Sequence, residues 1–169
     1  MRASPWVSPW MFSIGLWLLA CGGPAFDGRV YRSDDVSFRI GPQPESWRSI
    51  HVEGALLAFR DDRAGSTVAV NGRCGLDGDD VPLRALTHHL FLQFTGRRVL
   101  EQRELSLDGR AALRTVLSAE LDGVPRRFLV YVLKKDGCVY DFVWIGGEDP
   151  RPEATAHFER FVEGFTTEI

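Results

Sequence analysis

Three cysteines, four histidines and one cluster of acids are the side chains of this 169-residue chain that could do chemistry. Cys74 or Cys138 could attack as a thiolate if a base stood beside it, because the thiolate is the reactive form. His51, His88, His89 and His157 are the possible bases, and nothing in their spacing positions any of them. His88 and His89 are adjacent, so on a helix they point about 100° apart, whereas two ligands for one ion sit four residues apart. Asp77-Gly78-Asp79-Asp80 lacks the alternating acids and closing Glu of a calcium loop. It reads as an acidic loop that also caps a helix. There is no Gly-x-Ser-x-Gly, and Gly146-Gly147 lacks the Lys or third Gly of a phosphate loop. The chain therefore reads as a non-enzyme with no cofactor and no metal. A hydrolase built on Cys74 or Cys138 is the weakest reading.

Recognition is better supported than reaction. Phe91, Leu92, Arg97 and Arg98 form a candidate interaction surface. Leu92 falls opposite the apolar stripe of its predicted helix and Phe91 near the edge of that stripe. With Trp47, Trp144 and the tyrosines they either leave apolar surface exposed, which marks docking sites, or are covered by a loop, with Leu92 one of many exposed leucines. Charge is unevenly spread. Arg97 to Lys135 carries nine Lys/Arg and five Asp/Glu, and Asp136 to the end carries two and eight. These are either two solvated faces of one domain or a basic patch that meets an acidic partner or anionic lipid. A net charge of −3 gives no reason to expect nucleic acid.

The elements that must position these residues are legible in outline. Val36 to Ile40 alternates apolar and polar, and Gly41-Pro42-Gln43-Pro44 ends it, since proline cannot continue a ladder. Trp47 follows in a turn-like stretch and plugs the core. Ala55 to Arg60 and Thr67 to Arg73 read as a hairpin. Asp80 and Pro82 signal a helix start, and Leu83, Leu86, Leu90 and Phe94 share a face up to a stop at Gly96. Asp108-Gly109, Asp122-Gly123 and Asp136-Gly137 then recur every 14 residues as hairpin turns.

The turns separate Arg98 to Leu105, Arg110 to Leu121, Arg126 to Lys134 and Cys138 to Ile145, an antiparallel four-stranded meander. Ala111, Leu113, Thr115, Leu117, Ala119 and Leu121 line one face of the second strand. The third is apolar on both faces (Phe128, Val130 and Val132 against Leu129, Tyr131 and Leu133), so it must be central and covered on both sides. The chain closes with a helix from Pro152 to Gly164 whose apolar face is Ala154, Phe158, Phe161, Val162 and Phe165. The fold class is α+β: a twisted antiparallel sheet of about six or seven strands with two main helices packed on it.

The first 20 residues are set apart. Arg2 is the only charge before Asp27. Trp10 to Leu19 is an apolar run too short to span a bilayer, which takes about 20 residues. Leu18-Leu19-Ala20-Cys21 resembles the lipobox of bacterial lipoproteins. The resemblance implies a signal peptide over 1–20, a lipid on Cys21, a short tether over 21–28 and one domain over 29–169. It implies a membrane anchor outside the cytoplasm. Gly22, where an Asp would retain the protein, resembles the pattern sent on to the outer membrane, facing the periplasm. Cleavage would leave 149 residues, enough to bury about 70% of the unfolded surface. Export also bears on Cys74 and Cys138. An oxidising compartment lets them pair, and closing their 64-residue loop would contribute about 4 kcal/mol. The alternative is two unpaired thiols in separate strands.

The order of elements, the turn at Trp47 after Phe38-Arg39-Ile40, the Asp-Gly hairpins and the ending Phe161-Val162-Glu163-Gly164-Phe165 resemble the PsbP-like superfamily over residues 30–169. That resemblance implies a small exported or lipid-anchored domain that assists assembly or binding without catalysis. The expected role is an envelope lipoprotein that binds an envelope protein. A small-ligand or metal carrier using the space between sheet and helix is the alternative.

Overall fold

A computed structural model describes residues 23–75 and 80–168. The leader, Cys21 and acidic-loop residues 77–79 lie outside the described residues. The chain forms β1 (Ala25–Phe26), β2 (Val30–Arg32), β3 (Ser37–Arg39), β4 (Trp47–Ser49), β5 (Leu57–Asp61), β6 (Ser66–Cys74), α1 (Leu83–His89), β7 (Thr95–Leu107), β8 (Arg110–Leu121), β9 (Val124–Lys135), β10 (Cys138–Gly146), α2 (Pro152–Glu163) and β11 (Thr166–Thr167). No described helix is long and apolar enough to cross a membrane.

The framework is a seven-stranded antiparallel sheet in the order β4-β5-β6-β10-β9-β8-β7. Its meander is set by the three Asp-Gly pairs. Asp108, Asp122 and Asp136 sit at φ 47°, 52° and 52°, and the following glycines at 72°, 75° and 72°. Two consecutive positive φ values twist a turn the way the flanking strands twist, which fixes two-residue loops and strand register. β9 lies between β8 and β10, and Phe128 to Leu133 are all buried. The alternating side chains divide the core. Leu129, Tyr131 and Leu133 pack with Phe158 and Phe161 of α2, and Phe128, Val130 and Val132 pack with Leu86 and Phe91.

Early strands and the C-terminus form a second sheet, in the order β1-β2-β3-β11, which the expectation of a single sheet did not include. β3 lies within the alternating stretch Val36 to Ile40, but β1, β2 and β11 have only two or three residues, too short to show a period. Ala25 and Phe26, expected in the tether, pair with Arg32 and Tyr31 in this sheet. The small sheet shares the α2 side of the core: Phe38 stacks on Tyr31 at 5.2 Å and meets Tyr140 edge-on at 5.9 Å. Trp47 is buried, as expected, and lies in β4 rather than in a turn.

α2 spans the expected residues, with Pro152 in its first turn. Its C-terminal end crosses the chain after β3 at van der Waals closeness. The Gly41 N–H donates to the Phe161 carbonyl at 2.9 Å, and a Cβ on Gly164 would lie 2.4 Å from the Gly41 Cα. The two glycines are what let the helix and the small sheet meet.

α1 departs from expectation at both ends. Its N-cap is Pro82, with no side-chain cap, so Asp80 does not cap it. It ends at His89 instead of running to Gly96. The chain then turns tightly, with Phe91 N–H donating to His88 O and Phe94 N–H to Phe91 O. Phe91 and Phe94 reach Phe128 at 5.1 and 5.2 Å, so packing on the central strand overrides the helical period. Gly96, φ 59°, lies in β7 where the register shifts between Thr95 and Arg98.

Candidate docking groove

Between α1 and the edge strand β7 the chain leaves an open groove of about 430 Å³. Arg84, Thr87 and His88 line one wall, Arg97, Arg98, Val99 and Gln102 the other, and Phe91 with Thr115 and Leu117 of β8 its floor. Three of the four sequence-selected surface residues, Phe91, Arg97 and Arg98, thus meet in one place. Leu92 is 54% exposed but does not line the groove.

Phe91 needs a correction: it is only 4% exposed, wedged between Phe94 and Phe128, and forms the groove's base rather than a free surface. Trp47, Trp144, Tyr31, Tyr131 and Tyr140 are likewise core residues. The exposed apolar side chains near the groove are Val99 and Leu100, which the strand pattern alone did not single out. Ala111 and Leu121, expected with the buried face of β8, are exposed at its ends.

Polar contacts hold the walls. Arg97 Nη1 donates to the Phe91 carbonyl at 3.1 Å. Arg84 Nη1 donates to Gln102 Oε1, and Gln102 Nε2 to Thr115 Oγ1 at 2.9 Å. The Arg98 guanidinium has no hydrogen-bond or ion-pair partner among the described residues. Among the described residues no carboxylate lines the groove. Arginine is suited to such a place, because its planar fork meets carboxylates two bonds at a time.

The rest of the candidate chemistry is dispersed. Cys74 and Cys138 face each other in register on β6 and β10 and are joined, Sγ–Sγ 2.02 Å. The bridge leaves neither sulfur as a nucleophile, so the hydrolase reading loses its attacking group. His88 faces the groove and His89 does not line it. Among the described residues no three His, Cys, Asp or Glu side chains cluster as metal ligands.

A second cavity of about 320 Å³ lies beside Leu90, with Asp141 at its base. Asp141 is 1% exposed, accepts from Asn71 Nδ2 at 2.5 Å and faces Arg73 Nη2 at 3.5 Å. Burial pushes its carboxyl above the ordinary range, against the pull of Asn71 and Arg73. Sequence reasoning passed over it, although an acid inside the apolar run Cys138–Ile145 is the visible mark of a buried carboxylate. At the far side of the sheet Arg114 bridges Glu101 at 2.9 Å and Glu159 at 2.8 Å, tying α2 to β8. Burial, followed by the nearby Glu159, raises the Tyr131 phenol to about 12.

No protein-family model matches this sequence, and no curated protein matches it. Solved structures do match its shape. The cyanobacterial PsbP protein CyanoP of Synechocystis sp. PCC 6803 superposes with a TM-score of 0.59 at 16% identity, over 89% of this chain and 99% of that one. LpqN of Mycobacterium tuberculosis, described as involved in cell envelope biogenesis, gives 0.53 at 16% identity over 86% and 90%. A Bacteroides thetaiotaomicron protein gives 0.56 at 9% identity, and this chain spans 45% of its length. The fold is PsbP-like: the seven-stranded sheet and its two helices are the architecture that the sequence pattern pointed to, and the small sheet adds to it.

Proposed function

We propose that this protein is a non-catalytic, membrane-anchored envelope accessory domain that binds another envelope protein through the α1–β7 groove. The observation that carries the reading is the convergence of Arg84, Arg97 and Arg98 on an apolar base with no carboxylate among the described residues of the lining. Such a site recognises and does not transform, because it offers no nucleophile, no paired general acid and base, and no metal-ligand set. The lipobox-like Leu18 to Cys21 supports the address, and the involvement of LpqN in cell envelope biogenesis makes an envelope role coherent for this shape. A lipid anchor on Cys21 would raise the local concentration of the domain at its partner and so allow a modest groove to suffice.

The test is a pull-down of the full chain from cross-linked native envelopes, with intact-mass analysis of the same material. The reading expects one reproducible partner and a diacyl- or triacyl-modified Cys21 as the first residue. No reproducible partner, or an unprocessed N-terminus, contradicts it. The groove's own volume favours a second reading, a carrier of a small ligand. Native mass spectrometry separates the two, since a carrier would retain a co-purifying small mass.

A further inference from the structure

We infer that the groove takes an extended acidic peptide segment bearing one large apolar side chain, contributed by the partner protein; this rests on the docking reading above. Charge is the first argument. Several arginines elsewhere on the domain pair with carboxylates: Arg114 with Glu159, Arg39 with Glu168, Arg48 with Asp62 and Arg73 with Asp141. Arg84 and Arg97 are instead occupied by a neutral amide and a neutral carbonyl, and the Arg98 guanidinium by no group among the described residues. Three guanidinium groups on one groove, with no counter-charge among the described residues that line it, form a surface complementary to carboxylates.

Shape supplies the second argument. The base made by Phe91 and Leu117 suits one large side chain, and aromatic or aliphatic anchors in small pockets dominate docking energies. An acyl chain fits less well, because the groove is open to water and the Gln102–Thr115 pair interrupts its apolar floor. Strand addition is hindered too. β7 is an edge strand, but its register shifts between Thr95 and Arg98 and again between Val99 and Glu101, just where the groove lies. Bulges of this kind break the row of edge hydrogen-bonding groups. Recognition is thus by side chains: carboxylates on Arg97 and Arg98, one apolar residue over Phe91.

The experiment is fluorescence anisotropy of the full chain, purified in detergent, with fluorescein-labelled Glu-Asp-Phe-Asp-Glu. Controls are the same peptide with Ser for Phe and with Lys for every acid. Saturable binding of the acidic Phe peptide is expected, at least tenfold weaker for each control and for Arg98→Glu, and largely retained in Arg98→Lys. An unchanged melting temperature for Arg98→Glu shows that the variant is folded. Absence of saturable binding, or indifference to Arg98→Glu, overturns the inference. Preferential binding to phosphatidylglycerol vesicles that Arg98→Glu abolishes also overturns it, in favour of a lipid surface. If envelope cross-linking still returns a partner while the peptide fails, only the acidic-segment chemistry falls and docking stands.

Discussion

The Arg97 guanidinium donates to the main-chain carbonyl of Phe91 at 3.1 Å, and so fastens the edge strand β7 to the turn that follows α1. One residue on, Arg98 carries the same charge with no such duty. The two neighbours therefore differ in load: Arg97 serves the fold as well as the groove, and Arg98 the groove alone. Arg97→Ala is expected to lower stability by about 1 kcal/mol, the usual worth of one hydrogen bond at a partly exposed site, whereas Arg98→Ala leaves it unchanged. Urea unfolding of both variants checks this. Equal midpoints would show that the contact does not hold the wall.

Gly41 and Gly164 are matched by space, not by backbone conformation, since Gly164 has an ordinary φ of −83°. A Cβ on Gly41 would lie 2.2 Å from the Arg160 carbonyl, and one on Gly164 2.4 Å from the Gly41 Cα. Overpacking typically costs about 1–3 kcal/mol, and backbone atoms on both sides cannot yield as side chains do. Gly164→Ala is expected at or above the upper end of that range, by thermal unfolding. A stability within 0.5 kcal/mol of wild type, roughly the scatter of an inert surface change, would contradict the close approach.

The disulfide ties the β5–β6 hairpin to the meander across the middle of the sheet, between in-register partners. Cys74→Ser/Cys138→Ser is expected to lose about 2–4 kcal/mol, and reductant to lower the melting temperature of the wild type but not of the double variant. A reductant-insensitive wild type would mean the thiols are unpaired in the isolated protein.

Asp141 gives a pH dependence of definite sign. The folded state raises its pKa, so the native protein holds this proton more tightly than the unfolded chain does. Stability from this group is therefore greatest below the unfolded carboxylate value, falls as pH rises through the folded value, and is level above it. Asp141→Asn removes the penalty while keeping a polar partner for Asn71, and Arg73 is exposed enough to be solvated alone. The variant is expected to be more stable than wild type at neutral pH, with the difference vanishing near pH 3. Urea midpoints across pH 3 to 8 check it. A difference that grows toward low pH would reverse the sign and refute the assignment.

How much of this was readable depends on where the determining forces act. The Asp-Gly turns were legible because positive φ at two successive residues is a local demand that the residue types announce. The central place of β9 was legible because both faces are apolar, and α2 because its stripe persists for three turns. The end of α1 was not, since Phe91 and Phe94 obey a partner on β9 that lies more than thirty residues away in sequence. The same limit hid the groove. The pair Arg97-Arg98 and nearby Phe91 stood out, but Arg84 and Gln102 join them only through the packing of α1 on the sheet. The turn aspartates carry a further role that no local pattern shows. Lys135 Nζ meets Asp108 Oδ2 at 2.5 Å, and Thr167 bonds to both Asp108 and Asp136, closing β11 onto two turns.

Site-specific photo-crosslinking in intact envelopes puts docking through the groove to the sharpest test. A photoreactive residue at Val99, on the groove wall, is compared with one at Arg39 on the small sheet, both in the full chain at native abundance. Docking through the groove predicts one discrete adduct from position 99, lost in Arg98→Glu, and none of comparable yield from position 39. Adducts of equal yield from both positions, or an adduct from position 39 alone, would place the partner elsewhere.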